Sequence, residues 1–324
     1  MLFVRMTRMH AFLAAFLAVA LLSGAACSKR NDEGPGRSAD GTRHGDSGNK
    51  RIGVTLLTMQ HGFYQELRAG LEKAASERGY ELLITTGEFD AARQANQIDE
   101  FIVQKVDAIL VCPCDSRSVG ASIAQANAAK IPVFTADIAN ASTLGEVVAH
   151  IASDNHAGGR RAAELLLEAL DGHGQVAILS HPEVTSVRDR VAGFKERLAE
   201  SRGVEVVAEL SAEGKRDKAV RVMEDLLQSH PQLRGVFAIN DDSALGALAA
   251  VEAAGKLGVV QIVGYDATPE ARAKIDSGAL FGDVVQDPQR IGRLAIEAIG
   301  TYFDGGKPET FIPVPVGAYV STGS

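Results

Sequence analysis

The sequence predicts an α/β protein built as two parallel-sheet lobes, and three features of it carry that reading. Short apolar runs alternate with helical stretches, the signature of parallel βαβ units with right-handed crossovers. The alternation runs from residue 51 to about residue 153 and restarts after residue 154. Nearly all the strand runs are unbroken in their apolar character, as expected where helices cover both faces of a sheet.

Taken in order, RIGVTLL is the first strand and HGFYQELRAGLEKAASERG the first helix. Leu67, Leu71 and Ala75 keep helical spacing there, and Gly79 marks the stop. YELLITT, DAILVC and IPVFTA are further strands, separated by the helices DAARQANQIDEFIVQK and SRSVGASIAQANAAK. EVVAHIASD is a strand that leaves the first lobe. The second lobe then reads NHAGGRRAAELLLEAL (helix), QVAILS (strand), VRDRVAGFKERLAES (helix) and VEVVAEL (strand). DKAVRVMEDLLQSH, GVFAIN, SALGALAAVEAAGK, VVQIVGYD, PEARAKIDSG and FGDVVQ continue the alternation. A long helix, PQRIGRLAIEAIGTYFDGG, and an extended segment, FIPVPVGAYV, end the chain.

Several strands finish on a single polar side chain. Asp137 follows PVFTA, Asn240 follows GVFAI, Tyr265 and Asp266 end QIVGYD, and Gln286 ends GDVVQ. Arg190 lies a few residues beyond VAILS. Ligands of open α/β sheets bind beyond the carboxyl ends of the strands. These ends therefore predict one polar small-molecule site rather than a catalytic dyad or a metal cage.

The absent motifs agree. The first strand–helix junction, LTMQHGFYQE, has no GxGxxG, and GxxxxGK[ST], GxSxG and HExxH do not occur. No cofactor, metal or enzymatic activity is expected. His173 and His181 flank a strand and read as loop histidines, and His44 stands alone in a linker. Asp154, Asp241, Asp242 and Glu270 lie near helix starts, where a capping carboxylate is the simple reading. Cys112 and Cys114, in ILVCPCDS, read as unpaired thiols because a bridge between residues two apart is strained.

The 324 residues carry 33 basic against 41 acidic side chains. Residues 1–26 hold Arg5 and Arg8 and no acid, so the remainder has a formal charge of −10. Such a surface repels a phosphate backbone, and nucleic-acid binding is not expected. The N-terminus reads as an export signal, with two arginines, the 12-residue run AFLAAFLAVALL and the small residues SGAAC. That run is shorter than the about 20 residues of a membrane span. GAAC resembles a lipobox in which Cys27 becomes the acylated first residue, although Gly24 stands where leucine is usual. Cleavage as an ordinary secretion signal is the alternative. Residues 27–50 are Gly-, Asp-, Arg- and Ser-rich without apolar periodicity, as in a disordered tether, and this favours the lipid anchor.

HIASDN, GFYQELRAGLEKAA, PVFTAD, FAINDDSALGALAAVEAAGK and VGYDATPEA resemble the periplasmic ribose-binding proteins and their relatives, type I solute-binding proteins of ABC importers. The resemblance covers about residues 51–318. It implies two Rossmann-like parallel-sheet lobes joined by a three-segment hinge, closing on a ligand. The lobes would be residues 51–153 plus 286–312 and residues 154–285 plus 313–320. It also implies a monomer outside the cytoplasmic membrane that hands a sugar-like ligand to an ABC permease and its ATPase subunit.

Carried over by residue, the resemblance assigns ligand contacts to Phe63, Tyr64, Asp137, Arg190, Asn240, Tyr265, Asp266 and Gln286. The types suit a sugar, whose hydroxyls both donate and accept and whose ring offers apolar faces. Ribose binders have Ser, Asn, Asn and Arg where this chain has Leu57, His61, Cys112 and Ile138, and a further aromatic contact falls at or near Gly214. A ligand less hydroxylated than ribose on the first-lobe side is therefore expected: a deoxy sugar, another pentose, a polyol or a modified furanose, with ribose still open. A LacI-type regulator shares the core but would need a helix-turn-helix before residue 51. A sensor for a membrane receptor or kinase would have to act through a partner.

Overall fold

The computed structural model describes residues 49–321. The signal over residues 1–26, Cys27 and nearly all of the tether lie outside the described residues. The first lobe opens with β1 (Arg51–Leu56), α1 (Gly62–Arg78), β2 (Glu81–Thr86) and α2 (Ala91–Val103). It continues through β3 (Ala108–Val111), α3 (Val119–Ala128), β4 (Val133–Ala136) and β5 (His150–Ser153). The second lobe runs through α4 (Asn155–Ala169), β6 (Gly174–Ser180), α5 (Thr185–Ala199), β7 (Val204–Ser211) and α6 (Arg216–Ser229). β8 (Leu233–Ala238), α7 (Asp241–Ala253), β9 (Gln261–Asp266), α8 (Pro269–Asp276) and β10 (Gly282–Val285) complete it. The chain then crosses back as α9 (Pro288–Phe303) and β11 (Phe311–Val314) before ending in β12 (Gly317–Val320).

The first sheet has the order β11-β5-β4-β3-β1-β2 and the second β12-β10-β9-β8-β6-β7. All pairings are parallel except β10 with β12. The chain passes between the sheets three times: after β5, after β10, and between β11 and β12. The expected boundary at residue 312 falls short, because Pro313 and Val314 stay in register with Ala152 and Ser153 of β5. Pro313 is tolerated there because β11 is an edge strand and lacks a second neighbour to satisfy.

Helix periodicity works as the sequence requires. In α1, Leu67, Leu71, Ala74 and Ala75 face inward, and Gly79, at φ 69°, ends the helix by donating its N–H back to Ala75 and Ser76 carbonyls. α9 packs on α1, β4 and β5, which fixes it to the first lobe although the strand before it belongs to the second. Phe194 and Phe237 stack with centroids 4.5 Å apart in the second-lobe core. Cys112 and Cys114 are free thiols, both buried. Among the described residues, no helix is long and apolar enough to cross a membrane.

Candidate functional site

The carboxyl ends of the two sheets face one another across a narrow cleft of about 40 Å³. From the first lobe, Leu57 and His61 follow β1, Phe63 and Tyr64 open α1, and Asp137 and Ile138 follow β4. Opposite them stand His181 after β6, Arg190 from α5, Asn240 after β8, Asp266 at the end of β9 and Gln286 after β10.

Arg190 is the centre of the arrangement. Its Nε donates to Asn155 Oδ1 at 2.8 Å and its Nη1 to the Ile239 carbonyl at 2.7 Å. The guanidinium lies on the Tyr265 ring, 3.8 Å from its centroid. Burial works against its charge, but Tyr265, Asp266 and Asp137 outweigh burial and hold it above its ordinary value. Small residues make this placement possible. A Cβ at Gly159 of α4 would stand 1.9 Å from the Arg190 carbonyl oxygen, so only glycine lets α4 and α5 approach this closely.

Acceptors surround the arginine. Asp137 takes a bond from the Tyr64 hydroxyl at 2.6 Å, and Asp266 takes one from Gln286 Nε2 at 2.6 Å. Burial pushes both carboxyls up, and the Arg190 charge opposes it in each. Asp137 Oδ1 and Gln286 Oε1 are buried and meet no donor among the described residues. Asn240 accepts from Ser243 N–H at 2.9 Å, capping α7, and donates to the Gly214 carbonyl at 3.0 Å. Asp137, at φ 62°, and Asp266, at φ 118°, have backbone conformations that side chains rarely adopt. Strain of this kind clusters where a surrounding site over-determines it.

The mouth of the cleft is bridged between the lobes. His61 Nε2 lies 3.2 Å from Asp242 Oδ2. Ala139 N–H donates to Thr185 Oγ1 at 2.8 Å, and Thr185 N–H to Ser116 Oγ at 3.0 Å. Phe89 lies between the His61 and His181 rings, at 5.3 and 6.4 Å, and Lys215 Nζ sits over it at 4.6 Å. Burial lowers the values of both histidines, so they favour the neutral form. Glu88 pins the loop beneath. Its carboxylate accepts from Thr58 and Thr86 hydroxyls at 2.7 Å each and from Met59 N–H at 3.1 Å.

Most of the residues expected from sequence come together here, with two exceptions. Tyr265 is fully buried beneath Arg190, its hydroxyl against Gly158, so it supports the wall without lining it. Cys112 is likewise fully buried behind Tyr64 and Asp137. Leu57, Ile138 and Gly214 do line the cleft. His181, expected as a loop histidine, is buried in the wall, whereas His173 is exposed. Phe89, Val184, Ser186, Val187 and Ile239 also line it and carry no sequence signal of their own. Their neighbours Asp137, Arg190 and Asn240 were the only pointers to them.

A family model described as a periplasmic binding protein domain matches residues 52–307. The chain is 36% identical over 275 residues to the Bacillus subtilis ribose import binding protein RbsB, covering 84% of this chain and 88% of that protein. It is 34% identical over 244 residues to a Mycolicibacterium smegmatis xylitol-binding protein, covering 75% and 69%. Among solved structures, an Agrobacterium vitis solute-binding protein bound to α-D-tagatopyranose superposes with a TM-score of 0.81 at 27% identity, covering 85% of this chain and 95% of that one. The shared fold, the length of the match and the two-lobed cleft show that this chain belongs to the ribose-binding-protein-like type I periplasmic binding proteins of ABC importers, which carry solutes without acting on them chemically.

Proposed function

We propose that the chain is the substrate-binding lipoprotein of a sugar importer, anchored through Cys27 and monomeric, and that it delivers a pentose, deoxy sugar or polyol to its permease. The observation that carries the ligand class is the pair of unpartnered buried acceptors, Asp137 Oδ1 and Gln286 Oε1, ranged about one buried arginine. Such acceptors cost about 1–3 kcal/mol each when left unmade, and hydroxyl donors of a polyol satisfy them. Leu57 and Ile138 give the first-lobe side of the same cleft an apolar wall. That favours a ligand with fewer hydroxyls on the first-lobe side than ribose. Phe63 and Tyr64 offer aromatic surface to the ring. The names of two relatives carry a pentose and a polyol, ribose and xylitol, which lie within the same chemical class.

A thermal-shift panel of pentoses, deoxy sugars, polyols and hexoses tests this reading. A ligand at 100 times its Kd adds about 2.7 kcal/mol of stability, a readily measured shift, and deoxy or reduced pentoses are expected to lead. A silent panel alongside a shift by a nucleoside or a furanone would overturn the sugar assignment. The anchor is tested separately. Labelled palmitate should enter the wild-type chain and not Cys27→Ala, and equal labelling of both removes the lipoprotein.

A further inference from the structure

Two acids beside the cleft are left unused by it. Asp241 stands where a capping carboxylate is expected, but Asn240 caps α7 and Asp241 turns inward, 3% exposed. Its Oδ2 accepts from the Thr268 backbone N–H at 2.6 Å. Asp283, in the middle of β10, is fully buried. A Cβ at Gly264 of the neighbouring β9 would lie 3.2 Å from each of its oxygens, so the glycine eases a tight fit around the carboxyl. That same Cβ would meet the Ala244 side chain, which sets the Asp283 carboxyl beside the first turn of α7 that Asp241 opens, and each carboxyl acts on the titration of the other. Yet neither Asp283 oxygen nor Asp241 Oδ1 has a hydrogen-bond partner among the described residues, although the Val284 N–H lies near enough to Asp283 to oppose its protonation weakly. Two carboxylates cannot bond to each other, and in a low-dielectric interior they repel. With one proton between them, the same contact becomes an O–H···O⁻ bond, among the strongest side-chain hydrogen bonds.

We propose that Asp241 and Asp283 share one proton, and that this bond is a positioning device which holds the Asp266 loop in the cleft. The path is short. Asp283 bonds Asp241, Asp241 holds Thr268 N–H, and Thr268 ends the turn that begins at Asp266. Asp266 and Ala267 both have positive φ, at 118° and 58°, so the turn needs an external restraint. Asp241 also follows Asn240 directly, so the pair ties two cleft residues to one point.

The charged surroundings keep the proton in place. Asp266 of β9 and Asp242 of α7 add negative charge, and burial is the largest influence on both members, pushing each upward. Arg190 acts on Asp266. On β12, Tyr319 stands opposite Asp283, with Arg272 of α8 over its ring and its hydroxyl given to Asp276. The other face of β10 meets α4, where Leu165 approaches Gly282.

The role in ligand binding rests on the cleft being the binding site, but the test needs no ligand. An unfolded aspartate releases its proton near pH ~3.9, whereas the folded pair retains one. Above that pH the folded state binds more protons, so stability falls as pH rises until the pair ionises. Folding constants for wild type and Asp283→Asn, from urea unfolding at pH 4.5 to 8, should therefore diverge. Wild type should lose up to about tenfold per pH unit relative to the variant, whose amide donates to Asp241 without titrating. The protonated-carboxyl infrared band of wild type at neutral pH should be missing from the variant. Hydrogen exchange of the peptide spanning residues 266–269 reads the positioning. It should stay near wild type in Asp283→Asn and speed up about tenfold or more in Asp283→Val. Parallel pH curves overturn the shared proton and, with it, the positioning role. Wild-type exchange in Asp283→Val overturns the positioning alone. Should Asp283→Val fail to fold, the pH comparison decides the proposal.

Discussion

Arg190→Ala should cost about 3–5 kcal/mol of ligand affinity, within the range for truncating one partner of a buried, hydrogen-bonded charge cluster at a binding site. On a dissociation constant this is at least about a hundredfold. The loss follows from geometry. Arg190 is 5% exposed, and its removal leaves Asp137 and Asp266 buried without their cation. It also strands Asn155 Oδ1 and the Ile239 carbonyl, so the ligand-free protein should melt earlier. Arg190→Lys should not rescue binding, since one ammonium cannot reach both of those acceptors and lie flat on Tyr265. Calorimetric titration with whichever sugar gives the largest thermal shift is the measurement. An affinity within threefold of wild type would place the binding site elsewhere.

Gly159→Ala should destabilise the protein by about 2–3 kcal/mol, the upper part of the range for overpacking a tight contact. The new methyl would meet the Arg190 carbonyl at 1.9 Å, and from the other helix a Cβ at Gly193 would meet the His156 carbonyl at 2.0 Å. Neither partner is a side chain that can rotate away, so α4 and α5 must separate. For a chain of this size the melting temperature should fall by roughly 4–10 °C. Because α5 carries Arg190, affinity for the panel's best sugar should fall too. A variant with unchanged melting temperature and unchanged affinity would show that the helix spacing does not set the arginine's position.

Much of this was legible in the sequence for a local reason. An apolar run covered on both faces, an i, i+4 stripe and a glycine stop each report their environment within a few residues, so strand and helix order followed directly. The strand-end rule then marked Asp137, Asn240, Asp266 and Gln286, because topology fixes which end of a parallel strand faces the crevice. Arg190 was marked with them, just past a strand end, and the match to family motifs added Phe63 and Tyr64.

The remainder depended on what stands opposite. Tyr265 ends its strand as Asp266 does, yet successive side chains point to opposite faces. One enters the cleft while the other lies under the guanidinium. Leu57 and Ile138 face the cleft and Cys112 does not, although all three follow strands of one sheet. His181 and Phe89 reached the wall only because the two lobes meet there, over a distance no local pattern spans. Asp241 looked like a helix cap until β9 and β10, paired side by side, set Asp283 against it. The order of elements, the family and the polar residues at the strand ends are written locally, in periodicity, motif and chain direction. Which of those residues share the cleft depends on burial, strand pairing and the meeting of the lobes, and these are set by residues far apart in the chain.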